Sequence, residues 1–236
     1  MRPASTASRF PVGVAFAAWA LAYVAALPLQ AVVVGLLGHA DTPSDEWPTS
    51  AMAATVLCLW VPLVVALVLV SRRWGAGSLR DDYRIGFRAI DLVGVPIGVV
   101  CQLALVPLLY WPLTGLFPDT FDSTKVEERA NELWNNAHGG WVVVLIAVVA
   151  VGAPIVEEFV YRGLVQNALE SRINEILALV IGAAWFAAIH LQPVELPGLF
   201  LVGLVFGACW QRTGRLSCSV LAHVAFNATG LVLVAG

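Results

Sequence analysis

Glu157, Glu158 and Arg162 are charged side chains inside an otherwise apolar stretch of the sequence. An ionised group at the centre of a membrane helix costs about 2.5–3.5 kcal/mol on insertion scales, so each of these residues needs a partner or a function. At about 100° per residue, Glu158 and Arg162 share one helical face and can form an ion pair. Glu157 points elsewhere and has no partner nearby in the sequence. It is therefore the candidate for chemistry.

Two later apolar segments also carry polar side chains at helical spacing. Phe186 and His190 lie four residues apart, and so do His223 and Asn227. A carboxylate and an imidazole can activate water, and Asn and His donors can stabilise an oxyanion. Together with Glu157, these residues predict a site for amide hydrolysis, although a single buried His or Asn is commonly structural. The HExxH, GxSxG and Walker A motifs of other hydrolases are absent from the sequence.

The composition excludes an ordinary soluble domain. Of the 236 residues, 59% are hydrophobic and only 12% are charged, and the mean hydropathy is +0.82. Several stretches reach the ~20 apolar residues that a membrane-crossing helix needs. We therefore predict an all-α fold, a polytopic membrane bundle of about seven transmembrane helices. It forms one domain over residues 1–236, with N-terminal spans in 1–140 and the polar cluster on the C-terminal helices of 141–236.

The predicted spans follow the apolar runs of the sequence. The first run is 27 residues long, about twice the apolar core of a signal peptide, so we expect it to be retained. Thr124–Asn136 has the pattern of a surface helix, and Gln192–Pro197 reads as a loop. The seven spans are Val12–Gly38, Ala51–Val70, Asp91–Phe117, Trp141–Leu169, Ile176–Leu191, Gly198–Gln211 and Leu216–Val234.

The basic residues predict a multi-pass cell-membrane protein with a cytoplasmic N-terminus. In that orientation all 13 basic residues except Lys125 and Arg129 fall on the cytoplasmic side, as the positive-inside rule requires. Seven spans then place the C-terminus outside. The segment Ser71–Ala89 holds five arginines, and we interpret it as a basic loop that fixes topology. The alternative is a short amphipathic segment at the membrane interface.

The cysteines and the distribution of basic residues limit which partners are expected. The four cysteines are scattered through or beside apolar spans without a CxxC spacing, which favours small buried hydrophobic residues over metal ligands or disulfides. No compact basic patch with interleaved aromatic residues is present, so a nucleic-acid partner is not expected. The expected partners are the lipid bilayer and a membrane-associated protein or peptide substrate. The cysteines are Cys58, Cys101, Cys209 and Cys218.

The ordered set of motifs resembles that of an intramembrane protease family. This family includes the type II CAAX prenyl endopeptidases and the bacterial Abi-type proteins of bacteriocin processing and immunity. It shows Glu-Glu-x-x-x-Arg, then Phe-x-x-x-His, then His-x-x-x-Asn. Here the motifs stand as Glu157-Glu158-Phe-Val-Tyr-Arg162, Phe186-Ala-Ala-Ile-His190 and His223-Val-Ala-Phe-Asn227, within Trp141–Val234.

The resemblance implies endoproteolysis inside the membrane. Glu157 and His190 would activate water, and Glu158 and Arg162 would hold the site in shape. His223 and Asn227 would lie near the oxyanion. A prenylated substrate is the family's eukaryotic role, but nothing in this sequence indicates that its own substrate is lipidated. The implied catalytic residues are Glu157, His190, His223 and Asn227.

The metal dependence of such a site stays open at this level. Members of the family have been described both as metalloproteases and as glutamate-dependent enzymes. Two histidines and a carboxylate can bind Zn²⁺ and leave one position open, which here would use Glu157, His190 and His223. We expect a mechanism without a cofactor, with zinc as the alternative.

Two other classes of function compete with a protease. In a non-catalytic immunity or scaffold protein, the same polar cluster would only lock helices together. A transporter with an ion site is less favoured, because its usual sign is paired interrupted helices in two halves, whereas all the polar motifs here are C-terminal. A scaffold should tolerate Gln at Glu157, and a protease should not.

Overall fold

The computed structural model describes residues 10–121 and 123–236, with side chains except at 123–127 and 129. These residues form helices and connecting turns, without a β-strand. Arg2 and Arg9, on which the predicted orientation partly rests, lie outside the described residues, as do the side chains of Lys125 and Arg129. The main helices are α1 (Val12–Leu36), α2 (Thr49–Trp74), α3 (Ala89–Leu116), α4 (Ser123–Asn135), α5 (Trp141–Glu170), α6 (Glu175–Ala188), α7 (Leu196–Thr213) and α8 (Leu216–Ala235).

Within the described part of the chain, five helices are long and apolar enough to cross a membrane: α1, α2, α3, α5 and α8. This confirms an all-helical fold with several membrane-spanning candidates, but not the predicted number of about seven. Helix α6 has 14 residues, or about 21 Å, which is shorter than the ~30 Å hydrocarbon core. Helix α7 has 18 residues, but Gln211 and Arg212 make its last turn polar.

The predicted boundaries agree with the helices to within a few residues, and one difference affects the site. Helix α6 ends at Ala188, so His190 lies in the turn after the helix rather than within it. Leu191 has a positive φ of 54°, a left-handed conformation that ends helices. The Tyr110 hydroxyl of α3 donates to the Val194 carbonyl at 2.6 Å. This hydrogen bond anchors the non-helical turn to α3, although Leu191, Gln192 and Pro193 remain exposed.

Helix α8 packs against α3, α5 and α7. Its contact with α3 is close because Gly94 and Gly98 lie directly against the α8 backbone. A methyl group at Gly94 would overlap the Cys218 carbonyl oxygen, and one at Gly98 would overlap the Ala222 carbonyl oxygen. Small residues that allow backbones to approach in this way are typical of membrane helix pairs.

A buried carboxylate joins the beginning of α3 to the beginning of α8. Asp91 is fully buried, and it accepts hydrogen bonds from Arg215 Nε at 2.9 Å and Nη2 at 2.6 Å. The Ser217 hydroxyl at 2.6 Å and the Arg88 N–H at 2.7 Å also donate to it. Four donors match the acceptor capacity of an ionised carboxylate. This contact therefore fixes where α8 begins relative to α3.

The segment between α2 and α3 is docked on the bundle. Tyr83 is fully buried, and its hydroxyl donates to the Leu67 carbonyl at 2.6 Å. Burial raises the pKa of the Tyr83 hydroxyl, so this donor stays protonated. Asn167 of α5 donates to the Asp82 carbonyl at 3.1 Å and accepts from Arg84 Nη2 at 3.0 Å. The predicted basic loop is therefore part of the packed structure.

The contact between α3 and α8 yields a stability prediction. Gly98→Ala should destabilise the protein by about 1–3 kcal/mol, because the new methyl group overpacks a backbone contact. Gly115→Ala in the same helix has no atom within 4 Å of the added carbon and serves as the control. Thermal unfolding in detergent measures both variants. If both variants melted at the same temperature, the contact between α3 and α8 would have room for a methyl group at Gly98.

Candidate active site

Helix α5 carries both glutamates and is irregular on each side of them. Residues 146–152 and 159–166 are π-helical, whereas Ala153–Glu158 is α-helical. Pro154 lies at the start of the α-helical part, and its missing N–H removes one backbone hydrogen bond. Turns of the π type change the rotation along a helix and are frequent at functional sites. This rotation decides which way the two glutamates point, and both lie next to His223 of α8.

Glu158 is the buried member of the pair, with a side chain that is 0% exposed. Its Oε1 lies 3.2 Å from Arg162 Nη1 and 2.9 Å from His223 Nδ1. Its Oε2 accepts a hydrogen bond from the Ser219 hydroxyl. Both carboxylate oxygens are therefore engaged, and the ion pair expected from the i, i+4 spacing is formed.

Arg162 connects Glu158 to two other helices. Its Nη2 donates to the Gly203 carbonyl of α7 at 3.0 Å. Its guanidinium carbon lies 4.8 Å from the ring centre of Phe186 in α6 and 5.8 Å from that of Phe206 in α7. Nη1 faces Glu158 at 3.2 Å but outside hydrogen-bonding geometry, so that contact is ionic. Ionic and cation–π contacts together offset the desolvation of a buried guanidinium.

His223 lies between the two glutamates. A carboxylate can only accept, so the Nδ1 atom that faces Glu158 at 2.9 Å carries a proton. In the neutral ring the proton is therefore on Nδ1, as the carboxylate partner requires. Nε2 then has a free lone pair and is the reactive nitrogen. Nε2 lies 3.8 Å from Glu157 Oε2. The ring also stacks on Phe206, with 4.7 Å between centroids.

Glu157 differs from its neighbour in being 26% exposed. The 3.8 Å between its Oε2 and His223 Nε2 is too long for a hydrogen bond. One water molecule can nevertheless contact both atoms. On another side, Tyr161 lies one helical turn after Glu157 on α5, and its hydroxyl contacts that of Tyr23 at 3.0 Å. Of the two glutamates, Glu157 is the one that a substrate can reach.

His190 is held by the backbone of its own turn. Its Nδ1 lies 2.7 Å from the Phe186 carbonyl oxygen, so Nδ1 carries the proton in the neutral ring and Nε2 is the acceptor. The Phe186 ring meets His190 edge-on at 4.9 Å and His223 edge-on at 5.8 Å, measured between centroids. Both imidazoles thus pack on one aromatic ring, and each has its Nδ1 occupied.

Asn227 lies one turn beyond His223 on α8 and contacts a different part of α5. Its Nδ2 donates to the Val149 carbonyl at 2.8 Å, inside the first π-helical stretch. An amide nitrogen has two N–H groups, so one donor remains for a ligand. Val149 precedes Glu157 by eight residues, or about 12 Å along a helix. Asn227 therefore joins α8 to α5 on the N-terminal side of Glu157, the direction in which helical side chains tilt.

The structure adds three residues that the motifs did not indicate. Ser219 donates to Glu158, and Tyr23 and Trp19 of α1 contact the Tyr161 hydroxyl at 3.0 and 3.4 Å. A signal for each was present in the sequence. Ser219 precedes His223 by four residues and extends its polar stripe, and Trp19 and Tyr23 are polar-tipped aromatics at i, i+4. An N-terminal span thereby contributes to the site.

The proposed zinc ligands do not form a metal cluster. No group of three or more His, Cys, Asp or Glu side chains in the described residues is arranged to hold a metal ion. Glu157, His190 and His223 do not form such a group in this arrangement.

The buried pair yields a second stability prediction. Glu158→Gln or Arg162→Ala should cost about 3–5 kcal/mol, because either change leaves a buried charge without its partner. Ser219→Ala removes one hydrogen bond to a carboxylate and should cost about 1.5–3 kcal/mol. The exposed change Glu46→Gln is the control. Thermal unfolding in detergent ranks the variants, and wild-type stability for the first two would show that the pair does not support the fold.

Two curated proteins are similar to most of this chain. An "Uncharacterized 24.3 kDa protein" of Escherichia coli is 28% identical over 183 residues, which cover 72% of this chain and 75% of that protein. The "Putative membrane peptidase YdiL" of Bacillus subtilis is 26% identical over 186 residues, or 78% of this chain and 73% of that protein. No solved structure matches the chain at a significant level.

A family comparison covers the helices that carry the site. The matched residues begin before α5 and end within α8, so they include all three motifs but not Trp19 and Tyr23 of α1. The resemblance inferred from the motifs is therefore confirmed: over residues 139–229, the sequence matches the type II CAAX prenyl endopeptidase Rce1-like family.

Proposed function

We propose that this protein is an intramembrane endopeptidase that hydrolyses a peptide bond in a membrane-associated protein or peptide. The observation that carries the proposal is the position of His223 between a buried, fully bonded Glu158 and a partly exposed Glu157. Two carboxylates in different environments commonly take different roles. The family match and the name of the Bacillus subtilis relative support a membrane peptidase.

In this proposal Glu157 and His190 activate the attacking water. A base must be ionised and accessible, and of the two glutamates only Glu157 is exposed. His190 has its Nδ1 bonded to a carbonyl, which leaves Nε2 to accept a hydrogen bond from the same water. The water oxygen attacks the scissile carbonyl carbon, and its proton moves to the Glu157 carboxylate.

His223 and Asn227 then stabilise the oxyanion of the tetrahedral intermediate. For this role His223 carries a second proton on Nε2, taken from bulk water before the substrate binds and kept throughout the reaction; it donates through Nε2 while Nδ1 stays bonded to Glu158. Asn227 donates through the N–H that does not bind Val149. Fixed donors of this kind stabilise charge that develops in the transition state. When the C–N bond breaks, Glu157 passes its proton to the leaving amine, so the carboxylate is restored.

The alternative is a non-catalytic membrane protein in which the cluster locks helices. Glu158, Arg162 and Ser219 suit such a role, because their polar atoms bind neighbouring helices. Glu157 does not suit it, because a partly exposed carboxylate 3.8 Å from its nearest ring nitrogen adds little to packing. The protease is therefore favoured.

The proposed topology has a cytoplasmic N-terminus, seven passes and an external C-terminus. Helices α6 and α7 complete the passes as a short pair that packs together beside α5. Arginines cluster where α2, α5 and α7 end and where α3 and α8 begin, which favours the cytoplasmic side for that end of the bundle. They are Arg72, Arg73, Arg80, Arg84, Arg88, Arg172, Arg212 and Arg215.

Glu157→Gln should lower kcat/KM by at least about a hundredfold, because Gln cannot act as a general base. His190→Ala should show a similar loss. Both variants should keep wild-type thermal stability, since neither residue carries the buried ion pair. New peptide termini are measured by mass spectrometry after incubating reconstituted protein with a library of membrane-protein peptides. His39→Ala, in the loop after α1, is the matched control, and wild-type turnover by Glu157→Gln would favour the scaffold.

Single cysteines should report the topology. After the four native cysteines are replaced, Glu46→Cys and Gln192→Cys should react with an impermeant maleimide from outside intact cells. Arg212→Cys should react only after lysis, because charged loops do not leave the cytoplasmic side readily. All three positions are exposed. Labelling of Glu46→Cys and Arg212→Cys from the same side would contradict the orientation, and labelling of Gln192→Cys only after lysis would contradict seven passes.

A further inference from the structure

An apolar groove lies between the docked segment that precedes α3 and the helices α5 and α8. Its volume is about 450 Å³, and nearly all of its wall is hydrocarbon. The groove is shallow and opens widely to the surface, so a ligand in it is covered on one side by protein. Its main apolar lining residues are Ile85, Phe87, Ile155, Phe159, Leu216 and Val220.

This groove is separate from the candidate active site. Ile155 and Phe159 lie two residues before and after Glu157, so at about 100° per residue they point away from its carboxylate. Phe159 instead packs toward Tyr83, with 6.1 Å between ring centroids. A ligand in the groove would therefore contact the outer face of α5, and not the catalytic face.

The polar groups at the groove leave one cation available. Ser217 lines it and Arg215 lies beside the lining residue Gly86, but both are hydrogen-bonded to Asp91. Arg80 also lines the groove, is exposed, and makes no ion pair with any residue that the structure describes. The groove thus combines an apolar interior with a guanidinium that is not paired to a described carboxylate.

The position of the groove fits the boundary between water and lipid. Leu216 is the first residue of α8, and Val220 lies about 6 Å further along this candidate span. Beside the groove, Phe87 is 62% exposed and Ile90 is 65% exposed. Exposed apolar side chains among arginines are characteristic of segments that lie at a membrane surface rich in anionic lipid.

We propose that this groove binds an anionic phospholipid. One acyl chain lies along Ile85, Phe159 and Val220, and the phosphate pairs with Arg80. An anionic lipid complements the charge of Arg80, because a guanidinium binds phosphate through charge-assisted hydrogen bonds. A lipid bound here bridges the docked segment to α5 and α8 and thereby links membrane composition to the helices that carry the site.

Native mass spectrometry of the purified full-length protein tests the head group. The protein is incubated in detergent with equal amounts of dioleoyl phosphatidylglycerol and dioleoyl phosphatidylcholine. The wild type should retain the anionic lipid at least about fivefold over the zwitterionic one, and Arg80→Gln should bring the ratio close to one. Arg172→Gln, an exposed arginine at the same end outside the groove, should keep the wild-type ratio. If Arg80→Gln and Arg172→Gln lowered the retention ratio equally, the lipid would be held by diffuse charge attraction. That result would overturn the proposed binding site.

Two further arms test the acyl chain and the identity of the occupant. Gly86→Leu should reduce retention by filling the groove, with thermal stability in lipid-free detergent as the check on folding. Glycerol phosphate, which has the head group but no chains, should not compete, and competition by it would overturn the role of the groove. Displacement of bound phosphatidylglycerol by a cleaved substrate peptide would assign the groove to the substrate and would also overturn the proposal.

Discussion

The buried Glu158 carboxylate is the contact on which the rest of the site depends. It is fully enclosed, so it must be neutralised and hydrogen-bonded by groups that the fold brings to it. Arg162 neutralises it and stacks on Phe186 and Phe206, which extends the contact to α6 and α7. Through His223 it reaches α8 and fixes which ring nitrogen is free. One carboxylate therefore both joins four helices and sets the chemistry of the nearby imidazole.

Other close contacts hold α8 in the position at which Ser219 and His223 reach Glu158. Asp91 fixes the start of α8 through Arg215, and the glycines of α3 let the two backbones touch one turn further along. Farther on, Asn227 binds the Val149 carbonyl of α5. These contacts lie at successive levels along α8, so its position and rotation are both constrained. A helix held in this way can present a histidine at a constant distance from a carboxylate on its neighbour.

The sequence predicted what depends on local pattern. Apolar length indicates membrane helices, and charges in an apolar run mark a site, because both effects act on a segment by itself. The sequence did not show that Glu157 and Glu158 flank one ring, because that depends on π-helical turns and on the placement of α8. The i, i+4 spacing of Trp19 and Tyr23 was visible, but their contact with Tyr161 depends on how α1 packs. The predicted number of about seven spans is not confirmed, because α6 is short and the end of α7 is polar.

The π-helical turns of α5 make the direction of the glutamates depend on the number of residues as well as on their types. A turn closed by i→i+5 bonds uses one residue more than an α-helical turn. Deleting one residue from 146–152 would leave the hydropathy of the span almost unchanged. It would nevertheless rotate Glu157 and Glu158 by nearly one residue step relative to Trp141–Leu145, unless the stretch returned to α-helical turns, which use one residue fewer. Homologues of equal hydropathy can therefore differ in this rotation, and a single-residue gap in this stretch is a change in the geometry of the site.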